Sequence, residues 1–159
     1  MARLLVTVGM GSWPFDRLVA AVAPLCAYHD VFVQRGTSAV TPPCPHDRYI
    51  PFDEMQHRLA EADIVITHAG STVRLVQRLG RIPIVVARRR RLGETGSDRQ
   101  ERFLRTEEDT GRVHAVADVV ELPAAVAAFT PSPPPALPPV VDPSHLVATM
   151  DDLVARLRR

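Results

Sequence analysis

Short β-branched apolar runs alternate with helix-period segments through most of this chain, and that alternation limits the folds open to it. Residues 3–8, 30–34, 48–52, 63–67, 82–87 and 113–116 read as strands. Between them lie stretches long enough for crossovers. In 14–26, Phe15, Leu18, Val19, Val22 and Cys26 recur at helical spacing, with Pro14 suited to a first helical position. Asp53 to Gln56 and Ser97 to Gln100 have capping-box spacing ahead of two more helices. After 68–72, Val73, Val76 and Leu79 take one helical face and Arg74, Gln77, Arg78 and Arg81 the other. A last helix spans 122–129. Parallel strands need such crossovers, so the fold class is α/β: a Rossmann-like parallel sheet flanked by helices.

This domain occupies residues 1–129. Seven of the fifteen prolines then fall between Pro131 and Pro143, so 130–143 reads as a semi-rigid Pro-rich linker. Residues 144–159 follow as a C-terminal amphipathic helix, with Leu146, Val147, Met150, Leu153, Val154 and Leu157 in one stripe. A stripe on so short a helix needs a surface to cover it, in this domain or on a partner.

Composition narrows the function classes. Hydrophobic residues make up 46% of the 159, enough for a core. No apolar run approaches the ~18 residues that suggest a membrane span, and the N-terminus lacks a signal-peptide pattern. Cys26 and Cys44 make neither a disulfide framework nor a zinc site. A cytoplasmic protein is the expectation. The net charge of +1 excludes strong global attraction to nucleic acid. Arg88, Arg89, Arg90 and Arg91 form a local exception, read as a solvated loop or as a polyanion contact.

Ligands of open parallel sheets bind at the carboxyl ends of strands. Two loops there carry the chemistry. Gly9, Met10, Gly11 and Ser12 follow the first strand; His68, Ala69, Gly70, Ser71 and Thr72 follow the strand at 63–67. Gly70 permits close backbone approach, and a helix starting there aims unpaired N–H groups at an anion. That is a diphosphate site in outline. The G-x-G-x-x-G fingerprint is incomplete, because residue 14 is proline, and the Walker pattern is absent.

The run Ala-Asp-Ile-Val-Ile-Thr-His-Ala-Gly-Ser (62–71), then Leu-Gly-Arg (79–81) and Ile-Pro-Ile-Val-Val-Ala-Arg (82–88), resembles the C-terminal domain of family 28 glycosyltransferases. With Val-Thr-Val-Gly and Trp-Pro-Phe-Asp-Arg-Leu (13–18), the chain is similar to stand-alone members that pair with a separate acceptor-binding subunit. The resemblance implies half of a GT-B fold and an inverting hexosyltransferase, active with a partner. It implies a UDP-sugar donor, no cofactor and no catalytic metal, and a hexosyl transfer to a lipid-linked or glycan acceptor. The implied partner is membrane-associated and would recruit this chain to the inner face of the membrane. The implied donor contacts are Gly9, Gly11, Ser12, His68, Ala69, Gly70, Ser71 and Thr72, with Asp98 and Gln100 at the transferred sugar; on charge alone, Arg88 or Arg89 is the candidate to stabilise the departing phosphate. The catalytic base is not assigned within this chain. Family members carry an acid in the helix after His-Ala-Gly-Ser, bonded to the ribose hydroxyls; here those places hold Leu75 or Val76, with Gln77 as the nearest polar substitute. The alternative is a non-catalytic nucleotide-sugar-binding or regulatory module.

Overall fold

The computed structural model describes residues 1–135, together with Ser144, Val147 and Thr149. The linker beyond residue 135 and, apart from Val147, the expected terminal stripe lie outside the described residues.

Six strands form one parallel sheet in the order β3-β2-β1-β4-β5-β6. They are β1 (Arg3–Thr7), β2 (Asp30–Gln34), β3 (His46–Asp47), β4 (Ile64–His68), β5 (Ile84–Val86) and β6 (His114–Ala115). The helices are α1 (Asp16–Ala21), α2 (Phe52–Glu61), α3 (Ser71–Arg78), α4 (Arg99–Asp109) and α5 (Leu122–Ala128). Side chains alternate across a strand, and both faces here are apolar, as a covered parallel sheet requires. Leu4, Val6, Ile64, Ile66, Ile84 and Val86 meet Phe15, Leu18 and Val19 of the α1 region and Leu122 and Val126 of α5. Leu5 and Val65 face the other way, onto Leu59 of α2 and Val76 of α3. Val85 packs with Val73 and Leu104, joining α3 and α4 to that second layer.

The strand–helix alternation is present as expected, but several boundaries move. No strand spans 48–52. β3 is only His46–Asp47, paired with Val33 and Gln34. Pro51 is the N-cap of α2, in extended backbone, and the chain turns helical at Phe52. Neither capping box forms. Asp53 lies inside the first turn of α2, and the N-cap of α4 is Asp98, without a side-chain cap. Gln100 is diverted: its Oε1 accepts the Arg88 backbone N–H at 3.1 Å. Pro14 precedes α1, whose N-cap is Phe15; the Phe15 N–H is taken by Ser38 Oγ at 2.9 Å.

Along α3, Gln77 is buried rather than solvated. Its Nε2 donates to Glu107 Oε2 at 2.9 Å and to the Arg112 carbonyl at 3.1 Å, while Arg74 grips the same carboxylate through two nitrogens. Leu79, just past the helix end, is 49% exposed. Cys26 and Cys44 are joined as a disulfide with Cα atoms 5.6 Å apart, tying a 3-10 turn at Leu25–Ala27 to the irregular loop before β3. A single bridge was not anticipated from so sparse a cysteine count.

Candidate functional site

β1 and β4 are adjacent and parallel, yet their outgoing connections lead to opposite faces, β1 to α1 and β4 to α3. That makes the gap between their carboxyl ends the topological switch point, where loops part and leave a crevice. A cleft of about 400 Å³ lies there, lined by Gly9, Met10, Gly11, Ile50, Phe52, Met55, His68, Ser71, Thr72 and Leu75.

The glycine loop after β1 is fixed from beneath. Gly9 has φ +80°, in the left-handed region that disfavours a side chain. The buried Gln34 holds it with both ends of its amide. Oε1 accepts the Gly9 N–H at 3.1 Å, and Nε2 donates to the Gly9 carbonyl at 3.0 Å. The same Nε2 donates to the Arg48 carbonyl at 2.7 Å, and Thr7 Oγ1 donates to Oε1 at 2.6 Å. One side chain therefore sets the first loop and anchors the segment leading to Ile50 and Phe52. Sequence reading missed Gln34, whose place at the end of a strand marks it only as polar.

His68 stands at the end of β4 between the two loops. A Cβ at Gly9 would come within 2.6 Å of its Cε1, and a Cβ at Gly70 would collide with its Nε2. Both glycines are thus needed to make room for the imidazole. Burial, and then the nearby charge of Arg88, push the His68 pKa from 6.5 down to about 4, against a backbone hydrogen bond involving Thr7. At neutral pH the ring is uncharged, so it offers a hydrogen bond and not a cation. Gly70 is the N-cap of α3, with no side-chain cap, and Ser71 is the first helical residue. The helix start therefore presents uncapped N–H groups beside Ser71 and Thr72.

The cleft brings together Gly9, Gly11, His68, Ser71 and Thr72 of the expected donor contacts, with Gly70 beside His68. It does not include the others. Ser12 is exposed, outside the lining. Ala69 is 6% exposed and packs in the core with Val73 and Val85. Asp98 is exposed at the start of α4, and Gln100 is engaged with the Arg88 backbone.

Arg88 requires the largest revision. It is 4% exposed. Its Nη1 donates to the carbonyls of Trp13 (2.6 Å), Pro14 (2.8 Å) and Glu94 (3.3 Å), and its Nη2 to that of Val8 (2.8 Å). The guanidinium clasps both ends of the glycine loop instead of facing a phosphate. Burial lowers its pKa, opposed by Glu94. Arg89 donates to the Ala117 carbonyl, and among the four arginines only Arg90 and Arg91 are exposed.

Met10, Ile50, Phe52, Met55 and Leu75 were not expected as lining. They supply the apolar part of the cleft, and Met10 and Phe52 are 76% and 62% exposed. No sequence pattern separates such residues from core ones. Leu75 lines the cleft, while Val76 is buried against Leu5, Leu59 and Val65. Among the described residues, no three of His, Cys, Asp and Glu are grouped to hold a metal ion, and no helix is long and apolar enough to cross a membrane.

No protein-family model matches the sequence, and no curated protein matches it. Among solved structures the chain is similar to CalG4, the calicheamicin glycosyltransferase, with a TM-score of 0.59 and 18% identity, over 80% of this chain and 34% of that one. The chain thus spans about a third of that enzyme's length. The likeness is one of fold and does not single out family 28; the sheet and its flanking helices are a Rossmann-like α/β unit of the kind that makes up one half of a GT-B glycosyltransferase.

Proposed function

We propose that this chain is the donor-binding half of a two-part inverting glycosyltransferase, holding a nucleoside diphosphate-sugar while a partner holds a lipid-linked or glycan acceptor. The observation that carries the reading is the cleft at the switch point, where an uncapped helix start and a glycine loop converge within a glycosyltransferase-like fold. The diphosphate sits against Gly9, Gly11 and the start of α3, with Ser71 and Thr72 as hydroxyl donors. Neutral His68 adds a hydrogen bond. In the transfer, an acceptor oxygen attacks the anomeric carbon from the face opposite the diphosphate, whose bond to that carbon breaks. Backbone N–H groups at α3 stabilise the charge that develops on the departing phosphate. The acceptor's proton goes to a base on the partner. A membrane-associated partner, supplying the acceptor site, recruits this chain to the inner face of the membrane.

Among the described residues the cleft lining holds no acidic side chain, which favours one second reading, a nucleotide-sugar-binding module without transfer activity.

Titration calorimetry with nucleoside diphosphates and their sugars, on the chain alone and with its partner, tests both readings. Binding is expected. No binding in either setting overturns both readings, and binding without transfer in the complete complex leaves only the second. Gly70→Val should abolish binding, because its side chain displaces His68.

A further inference from the structure

We infer that the cleft is built for a 2′-deoxyribonucleoside diphosphate in preference to its ribose counterpart; this rests on the donor-site reading above. The side-chain hydrogen-bonding groups of the lining are His68, Ser71 and Thr72, from the end of β4 and the start of α3. The remaining side chains, Met10, Ile50, Phe52, Met55 and Leu75, carry no nitrogen or oxygen. Leu75 follows Ser71 by four residues, one turn along the same face of α3. A nucleotide with its diphosphate at Ser71 therefore lays its pentose along an apolar wall.

Among the described residues, the lining holds no carboxylate or amide side chain to accept from the ribose hydroxyls. On α3, Val76 is in the core and Gln77 is bonded to Glu107 and to the Arg112 carbonyl. In the first turn of α2, Glu54 pairs with Arg58 at 2.7 Å, and Asp53 does not line the cleft. A 2′-hydroxyl brought to this wall loses water and gains no partner, whereas a 2′-hydrogen loses nothing. An apolar site rejects an added hydroxyl by no more than about a hundredfold. This cleft is partly open, so about tenfold is the expected discrimination.

Calorimetry with four ligands isolates the effect: UDP, its 2′-deoxy form, 5-methyl-UDP and dTDP. Each deoxy member should bind about tenfold tighter than its ribose partner, with or without the base methyl. Ribose forms binding equally or more tightly overturn the inference while the donor-site reading stands. Failure of all four to bind, alone and with the partner, overturns that reading and this one with it. Leu75→Glu places a carboxylate on the wall, and Leu75→Gln an uncharged acceptor. With folding checked by circular dichroism, either should bring the deoxy-to-ribose ratio to one or below. Repulsion between the new carboxylate and the diphosphate affects both ligands alike and cancels in the ratio. An unchanged ratio in both folded variants overturns the assignment to this wall.

Discussion

The loops after β1 and β4 and the loop after β5 leave the same edge of the sheet and are put to opposite uses. The first two carry glycines and small polar residues and line a cleft, at which the start of α3 is uncapped. The third carries four consecutive arginines, yet Arg88 turns inward onto the carbonyls of Val8, Trp13, Pro14 and Glu94. Glu94, also buried, holds Arg17 at 2.7 Å and the Arg89 N–H at 2.8 Å. Charge in a sequence thus does not by itself mark a ligand site: the donors of Arg88 are spent on the fold, while the uncapped helix start lies on a neutral loop.

Removing Arg88 should break this contrast most visibly. Arg88→Ala strips the donors from four carbonyls at once, two of those bonds fully buried, and loosens the entry and exit of the glycine loop. A loss of roughly 3–5 kcal/mol is expected, by analogy with deleting one partner of a buried polar cluster. Urea unfolding measures it. A loss below about 1 kcal/mol would mean that the loop holds its shape without the clasp, and Arg88 would again be available to a ligand.

The strand–helix alternation was legible because residues 4–6, 64–66 and 84–86 are unbroken apolar runs, as strands covered on both faces require. The two glycine loops were legible because a strand followed by Gly-rich turn chemistry has few other meanings. What the sequence hid is tertiary. Whether Gln100 caps a helix or holds a backbone N–H depends on where β5 ends relative to α4. Whether Arg88 meets a phosphate depends on a loop seventy-five residues earlier. Leu75 and Val76 are neighbours of the same chemistry, yet one lines the cleft and the other the core, because consecutive helical residues point about 100° apart. No periodicity assigns that difference when both are apolar.

A second test sharpens the role of His68 as the neutral divider between the open loops. Its pKa is about 4 in the folded chain against 6.5 ordinarily, so between those values the unfolded chain binds more protons. Stability due to this residue is therefore complete above pH 6.5, falls as the pH drops, and is lost by about pH 4, a change of up to roughly 3 kcal/mol. Comparing wild type with His68→Gln at pH 7 and pH 4.5 removes the contribution of other groups. Equal pH dependence in the two proteins would mean that the ring is protonated as readily folded as unfolded.

Gly70→Ala probes the same ring from the other side. The Gly70 backbone, at φ −135° and ψ −163°, suits any residue, so the penalty is the contact of the new methyl with His68 Nε2. Overpacking of this kind costs ~1–3 kcal/mol. In a His68→Ala background the same substitution should cost less than about 0.5 kcal/mol, since the obstructing ring is gone. An equal cost in both backgrounds would place the obstruction elsewhere.

The smallest effect belongs to Arg90 and Arg91, which share a motif with Arg88 but not its surroundings. They open a 3-10 turn at Arg90–Leu92 that buries no residue, and both are exposed. Arg90→Ala and Arg91→Ala should each shift stability by less than about 0.5 kcal/mol, as solvated substitutions do. If the pair served a polyanion, the double variant would bind heparin more weakly in a salt-dependent way, by about one released counterion for each arginine. The expected outcome is unchanged nucleotide affinity, because neither residue lines the cleft. A drop in that affinity would mean that the loop after β5 reaches the bound donor, which would join the charged loop to the neutral ones as part of a single site.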